Sequence, residues 1–272
     1  MPRFANILVL SAFLASLPGC ATNPITGRQQ AALVSDTQAA QQSAQAYSQL
    51  LNQASQQRAL DDNPAQLQRV RAIAQPIIAQ AIKKRPETAQ WRWEIHVLQS
   101  DEINAWCMAG GKIAVYTGLL KAIQPTDDEL AEVLGHEISH ALLSHQAEKL
   151  SRVQMQKLGI GLGVMAGAAA GYDVSGLAGM ADTLATVGLQ LPNSRQAESE
   201  ADSVGIELAA RAGFNPNAAV TLWQKMIKVS GNSGSDWLST HPNPQSRIAA
   251  MQARAQQLMP VYEAARKGKP VK

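Results

Sequence analysis

His136-Glu137-Ile138-Ser139-His140 sets two imidazoles four residues apart with a carboxylate beside the first. In a helix four residues advance about 400°, so both rings stand on one face, a turn apart, and can share one ion. Zinc suits these residue types, and Glu137 would flank the position left open for water, where a carboxylate can take up a proton. The motif is short and needs context. A catalytic zinc usually takes three protein ligands, so the third must come from elsewhere in the chain. Glu198 is the first candidate. It opens Glu198-Ser-Glu-Ala-Asp202, in which Asp202 falls on the same helical face and can accept the second ring N–H of a ligating histidine. Glu200 points about 200° away from Glu198 and is the second candidate.

Two helices must carry these groups. Thr126-Asp-Asp-Glu129 is a capping box with acidic residues at the positive end of a helix predicted to run to about Ser151. Asn193 or Ser194 opens another through Arg211, and Gly213 ends it. On the first, His145 lies about 140° round from His140 and reads as packing or surface.

Upstream, a helix capped by Ser35 is predicted to run to about Leu60. A second opens at Asn63-Pro64, ends before Pro86, and should be kinked or divided at Pro76. Trp91 to Val97 alternates as a strand, leaving His96 on the solvent side. Ile103 to Met108 and Lys112 to Tyr116 flank Ala109-Gly110-Gly111 as a hairpin or sharply bent strand, before a short helix over Gly118 to Ile123. Leu158 to Gly171 holds five glycines among apolar residues, too short to span a bilayer, and reads as close-packed helix or apolar loop. Helices from Asn215-Pro216 to about Val229 and from Asn243-Pro244 to about Leu258 are separated by a loop at Gly231 to Ser235. The fold class is α+β, mostly helical, with a small sheet beside the His136–His140 helix. No internal repeat is evident.

Of 272 residues 46% are hydrophobic and 17% charged, with a formal net charge of +3, the balance of a folded chain with no basic stripe for nucleic acid. Arg3 precedes an apolar run from Phe4 to Leu17, the length of a signal-peptide core rather than a membrane span. Leu17-Pro18-Gly19-Cys20 resembles a bacterial lipobox, which implies a lipid on Cys20. Ala21, in place of the Asp that retains lipoproteins at the inner membrane, implies the periplasmic side of the outer membrane of a Gram-negative cell. The segments are thus residues 1–19 as signal peptide, 20–34 as tether, 35–258 as the catalytic domain and 259–272 as a frayed basic tail. Cys107, in the predicted substrate-binding strand, reads as a small apolar packer.

His136-Glu-Ile-Ser-His140 followed by Glu198-x-x-x-Asp202, with Asn104-Ala105, Gly110-Gly111-Lys112-Ile113 and Gly118-Leu119-Leu120 ahead of them, resembles the zinc metallopeptidases of family forty-eight. This is the group like the CAAX prenyl endopeptidases, and the likeness is to its compact bacterial periplasmic lipoproteins. The resemblance implies a zincin-like domain with one zinc on His136, His140 and Glu198, and Glu137 as general base. It also implies an active-site role for His241, in the family's His-Pro segment, either toward the oxyanion or at the fourth zinc position; the other reading of this histidine is that it only fixes its loop. The strand at Ile103 to Met108 would then be an edge that pairs with extended substrate. The expected function is endoproteolysis of unfolded or misassembled envelope proteins, with the outer-membrane assembly machinery as a partner. The alternative is a lipid-anchored chaperone or assembly factor whose hydrolysis is latent or regulated.

Overall fold

The computed structural model describes residues 19–170, 193–233, 239–241 and 244–268. The predicted signal sequence through Pro18, residues 171–192, part of the predicted loop at Gly231 to Ser235, and the last residues of the predicted tail lie outside them. In order come β1 (Cys20–Thr22), β2 (Gln29–Ala31), α1 (Asp36–Gln56), α2 (Pro64–Lys84), a short 3-10 turn, β3 (Glu94–Leu98), β4 (Ala105–Met108), β5 (Lys112–Tyr116), α3 (Thr117–Ile123), α4 (Asp127–Leu142), α5 (His145–Ala169), α6 (Arg195–Arg211), α7 (Ala218–Ser233) and α8 (Pro244–Arg266).

The caps fall where the side chains dictate. Ser35 with Gln38 and Thr126 with Glu129 form capping boxes, and Asn63 caps α2 ahead of Pro64. The helix α4 is central, with every residue from Glu129 to Leu142 buried. It packs against α2, α6, α7 and the sheet. The main sheet has order β3-β5-β4, with β3 parallel and β4 antiparallel to β5, so β4 is an outer strand. The β4–β5 turn holds Gly110 and Gly111 at φ +82° and +78°, a region costly for residues bearing a Cβ. Ile95 and Val97 face the core as their alternation predicts.

Several expectations are corrected. The helix bearing His136 stops at Leu142 instead of Ser151, and Ser144 turns left-handed at φ +57°. Side chains take the last carbonyls and end it: Arg85 Nη1 donates to Leu142 O at 2.7 Å, while Asn23 and Gln30 both donate to Leu143 O at 2.9 Å. Those last two donors come from the supposed tether. Residues 20–31 form a hairpin that lies along α5, and Val34 N–H then reaches Ser151 Oγ at 2.8 Å. Its polar side chains, which suggest a solvated linker, are spent on buried backbone instead.

The C-terminal helix continues past Leu258 to Arg266, because Val261 and Tyr262 still pack on the core. At Pro76 α2 is not divided, and Val70, Ile73, Ile77 and Ile78 are buried on either side of it. His96 is half-buried against Asp61, since α1 brings Tyr47 over that face with ring centroids 6.0 Å apart. The Gly-rich stretch is helical as far as Ala169 but is not close-packed. Among the described residues, a Cβ at Gly159, Gly161 or Gly163 would meet nothing within 4 Å, and Leu158, Leu162 and Met165 are exposed. Among the described residues no helix is long and apolar enough to cross a membrane.

Candidate active site

The site begins at a point where two helix backbones touch. A Cβ on Gly135 of α4 would stand 2.7 Å from Gly205 O of α6, and a Cβ on Gly205 would stand 2.7 Å from His136 N. Only glycine at both positions allows this approach, and it brings Glu198 and Asp202 of α6 against His136 and His140 of α4. Neither glycine figures in the motif reading. The visible signal was a glycine immediately before His136.

His136 Nε2 and His140 Nε2 face each other at 3.0 Å. The carboxylate of Glu198, fully buried, lies 3.6 Å from the first and 3.3 Å from the second. Asp202 Oδ1 sits 3.0 Å from His136 Nδ1 and accepts its proton, which leaves the lone pair of that ring at Nε2. Arg247 binds both acids, with Nη1 on Glu198 at 2.6 Å and its other nitrogens on Asp202, and its guanidinium lies 4.2 Å over the Trp223 ring. Neither Arg247 nor Trp223 belongs to a motif in the sequence, and only the packing of α8 and α7 brings them to these acids.

His241 completes the group. Ligand atoms of His136, His140, Glu198 and His241 all lie within 4.8 Å of one another, and His241 Nε2 is 3.3 Å from Glu137 Oε1. Glu200, the second candidate ligand, is not in this group: it binds Arg28 and His145. His145, expected on the surface or in packing, is buried beside His140, because the chain breaks at Ser144 and restarts with this residue as the first of α5.

Burial dominates the electrostatics. It lowers His136, against the opposing pull of Asp202, and takes His140 down to about 4, so both rings are neutral near pH 7. Burial would raise the Glu198 carboxyl, but the facing imidazoles, His241 foremost, shift it downward, and with Arg247 Nη1 bonded to it at 2.6 Å the group is held ionised. For His241 burial lowers and the carboxylates of Glu198 and Glu137 raise, with the carboxylates prevailing. Two neutral imidazoles and an ionised carboxylate whose Oε1 has no hydrogen-bond donor among the described residues thus converge on one point. Electron-rich atoms turned toward each other in a dry pocket repel unless a cation lies between them, so the donor set fits a divalent metal of the zinc type.

Cys107 is buried and its thiol is pushed well up by burial, which fits a packing role. Glu132, one turn before His136, was missed. Its carboxyl is buried among His136, Asp202 and Trp223, and burial raises it well above the ordinary carboxylate range. The remaining open side of the site is a groove of about 690 Å³ lined by Asn104, Ala105, Trp106 and Met108 along β4, with Glu137, His140 and His241 at its floor.

Sequence comparisons agree with this geometry. The description "Peptidase family M48" matches residues 64–255, more than half of the chain. The chain is 39% identical over 159 residues to the mitochondrial metalloendopeptidase OMA1 of Schizosaccharomyces pombe, covering 58% of this chain and 45% of that one. It is 33% identical over 212 residues to the mitochondrial metalloendopeptidase OMA1 of Bos taurus, covering 75% and 40%. To the beta-barrel assembly-enhancing protease of Escherichia coli it is 32% identical over 170 residues, covering 61% and 35%. The chain thus spans less than half the length of these relatives. With the matched segment containing His136, His140, Glu198 and Asp202 alike, the chain belongs to peptidase family M48.

Proposed function

We propose that the protein is a zinc endopeptidase acting on unfolded or misassembled proteins of the cell envelope. The observation that carries this reading is the groove, in which an outer strand runs beside the convergent His136, His140, Glu198 and Glu137. An extended segment can add to β4 through backbone hydrogen bonds, and a folded protein does not present one. One zinc ion on His136, His140 and Glu198 would polarise the scissile carbonyl and acidify water. Glu137 faces the same space, takes the proton of the attacking water and delivers it to the leaving amine. Asp202, itself clamped by Arg247, orients His136.

The envelope setting is supported by the lipobox-like segment ahead of Cys20, by the exposure of Cys20 on the β1 strand, and by the likeness to the beta-barrel assembly-enhancing protease of Escherichia coli. In this reading a lipid on Cys20 holds the enzyme at the periplasmic face of the outer membrane, near the machinery that assembles barrels there. One observation favours a regulated version of the activity. His241 stands among the ligand atoms, where a water or substrate oxygen would have to enter, so this arrangement is a closed one and hydrolysis needs His241 to withdraw. That is the sense in which the alternative, an assembly factor with latent proteolysis, has support.

The test is zinc content together with cleavage of casein, an unfolded substrate, by the protein and by Glu137→Gln. The substitution should keep stoichiometric zinc and lower cleavage by at least about 100-fold. Equal cleavage by the two proteins would refute the mechanism.

A further inference from the structure

The two metal-facing histidines are held by different means, and only one of them is explained by the motif. His136 gives its Nδ1 proton directly to Asp202, which Arg247 clamps. Among the described residues, His140 has no carboxylate on its Nδ1. It has a second imidazole there, His145 Nδ1, at 3.0 Å. His145 Nε2 in turn lies 3.0 Å from Glu200 Oε2, and Arg28 Nε donates to Glu200 Oε1 at 2.6 Å. The other end of Arg28 is gripped by Glu148, whose oxygens take Nη1 and Nη2 at 2.8 and 2.6 Å.

We propose that Arg28, Glu200 and His145 form a positioning relay that sets the tautomer and orientation of His140, making the amino-terminal hairpin a working part of the active site. Proton counting supports this. An ionised Glu200 can only accept, so His145 must carry its proton on Nε2. With its proton toward Glu200, His145 presents Nδ1 as the acceptor 3.0 Å from His140 Nδ1, and the bond between the two rings carries the His140 proton there. The lone pair of His140 is thereby left at Nε2, the atom that faces His136 and Glu198. The reverse setting would put a proton on His140 Nε2 and block metal there. Both histidine arms thus end in a carboxylate and an arginine, the longer one with an extra imidazole inserted. Arg28 lies between β1 and β2, the segment that reads as a tether in the sequence, while Glu200 is the residue set aside as a ligand. The relay explains why both are drawn to this spot. None of the three residues touches substrate in this assignment; they act through His140.

The proposal rests on the reading of His136, His140 and Glu198 as metal ligands, and its test separates the two. Zinc affinity of the full-length chain is measured by competition with a chromogenic chelator for the unsubstituted protein, Glu200→Gln, Arg28→Met and Arg28→Lys. The absorption spectrum of each cobalt-substituted form and the melting temperature of each metal-free form are recorded alongside. Glu200→Gln is isosteric but turns an obligate acceptor into a group that also donates. Glu200→Gln and Arg28→Met should each weaken zinc binding by about 10- to 100-fold. The cobalt bands of Glu200→Gln should shift, the metal-free melting temperatures should change little, and Arg28→Lys should recover most of the affinity. Affinities within twofold of the unsubstituted protein with superimposable cobalt spectra would overturn the relay. So would metal-free variants that melt early or fail to fold while their folded fraction binds zinc normally, because that pattern assigns these residues to stability alone. Failure of the unsubstituted protein to bind zinc would overturn the metal reading and the relay with it.

Discussion

Gly205→Ala tests whether the contact between α4 and α6 builds the site. The added Cβ would stand 2.7 Å from His136 N, 2.8 Å from Gly135 C and 2.9 Å from His136 Cα. All three are backbone atoms of a buried helix, so no side chain can rotate away. Ordinary contact begins near 3.4 Å, so the helices must separate by roughly 0.7 Å at the crossing. Overpacking of this kind costs about 1–3 kcal/mol, against a gain of up to about 1 kcal/mol from replacing glycine in a helix. We expect a net loss of about 1–2 kcal/mol, near the middle of that difference. The larger consequence is for the metal. Asp202 and Glu198 ride on α6, one and two turns from the crossing, and a metal site tolerates only about 0.2 Å of displacement. Zinc affinity should fall at least tenfold. The control is Gly161→Ala on α5, where a Cβ meets nothing within 4 Å among the described residues and the same change should stabilise by up to about 1 kcal/mol. Urea unfolding and a zinc competition titration read both variants. If Gly205→Ala is as stable as Gly161→Ala and binds zinc normally, the contact does not position the ligands.

Three further outcomes are expected. Glu198→Ala should retain no zinc after dialysis, and wild-type stoichiometry would remove Glu198 from the ligand set. Burial raises the folded carboxyl of Glu132, so its contribution to stability is full below the unfolded carboxylate pKa and is lost as pH rises toward the folded value, by about 1.4 kcal/mol per pH unit in that window. Glu132→Gln mimics the protonated acid at all pH values, so its melting temperature should pull ahead of the unsubstituted protein as pH rises above the unfolded carboxylate range; parallel curves would count against a protonated Glu132. His241→Ala should raise casein turnover by opening the closed arrangement, whereas turnover lost with zinc intact would assign His241 to the oxyanion instead.

Much of this site is local and therefore written in order along the chain. The His136–His140 spacing follows from the helical repeat, and so does the pairing of Glu198 with Asp202 on one face. Caps at Ser35, Asn63 and Thr126 depend on side chains bonding backbone a few residues away, and all three stand where their residue types place them. Apolar alternation suffices for the core face of β3, and the two glycines at 110 and 111 for the turn after β4.

What required the folded chain is whatever depends on a partner distant in sequence. The end of α4 is decided by Arg85, Asn23 and Gln30 taking its final carbonyls, and no window around Leu142 contains them. Polar side chains between Cys20 and Ala31 look identical in a tether and in a hairpin until α5 is there to receive them. His145, which by its helical angle is either packing or surface, becomes a neighbour of His140 because the break at Ser144 turns it inward. The choice between Glu198 and Glu200 is geometric in the same way. The residues that can do chemistry follow from type and spacing, because helical periodicity is a local property. Which of them meet, and which way each imidazole must face, follows from helix packing and from carboxylates and arginines brought in by remote segments.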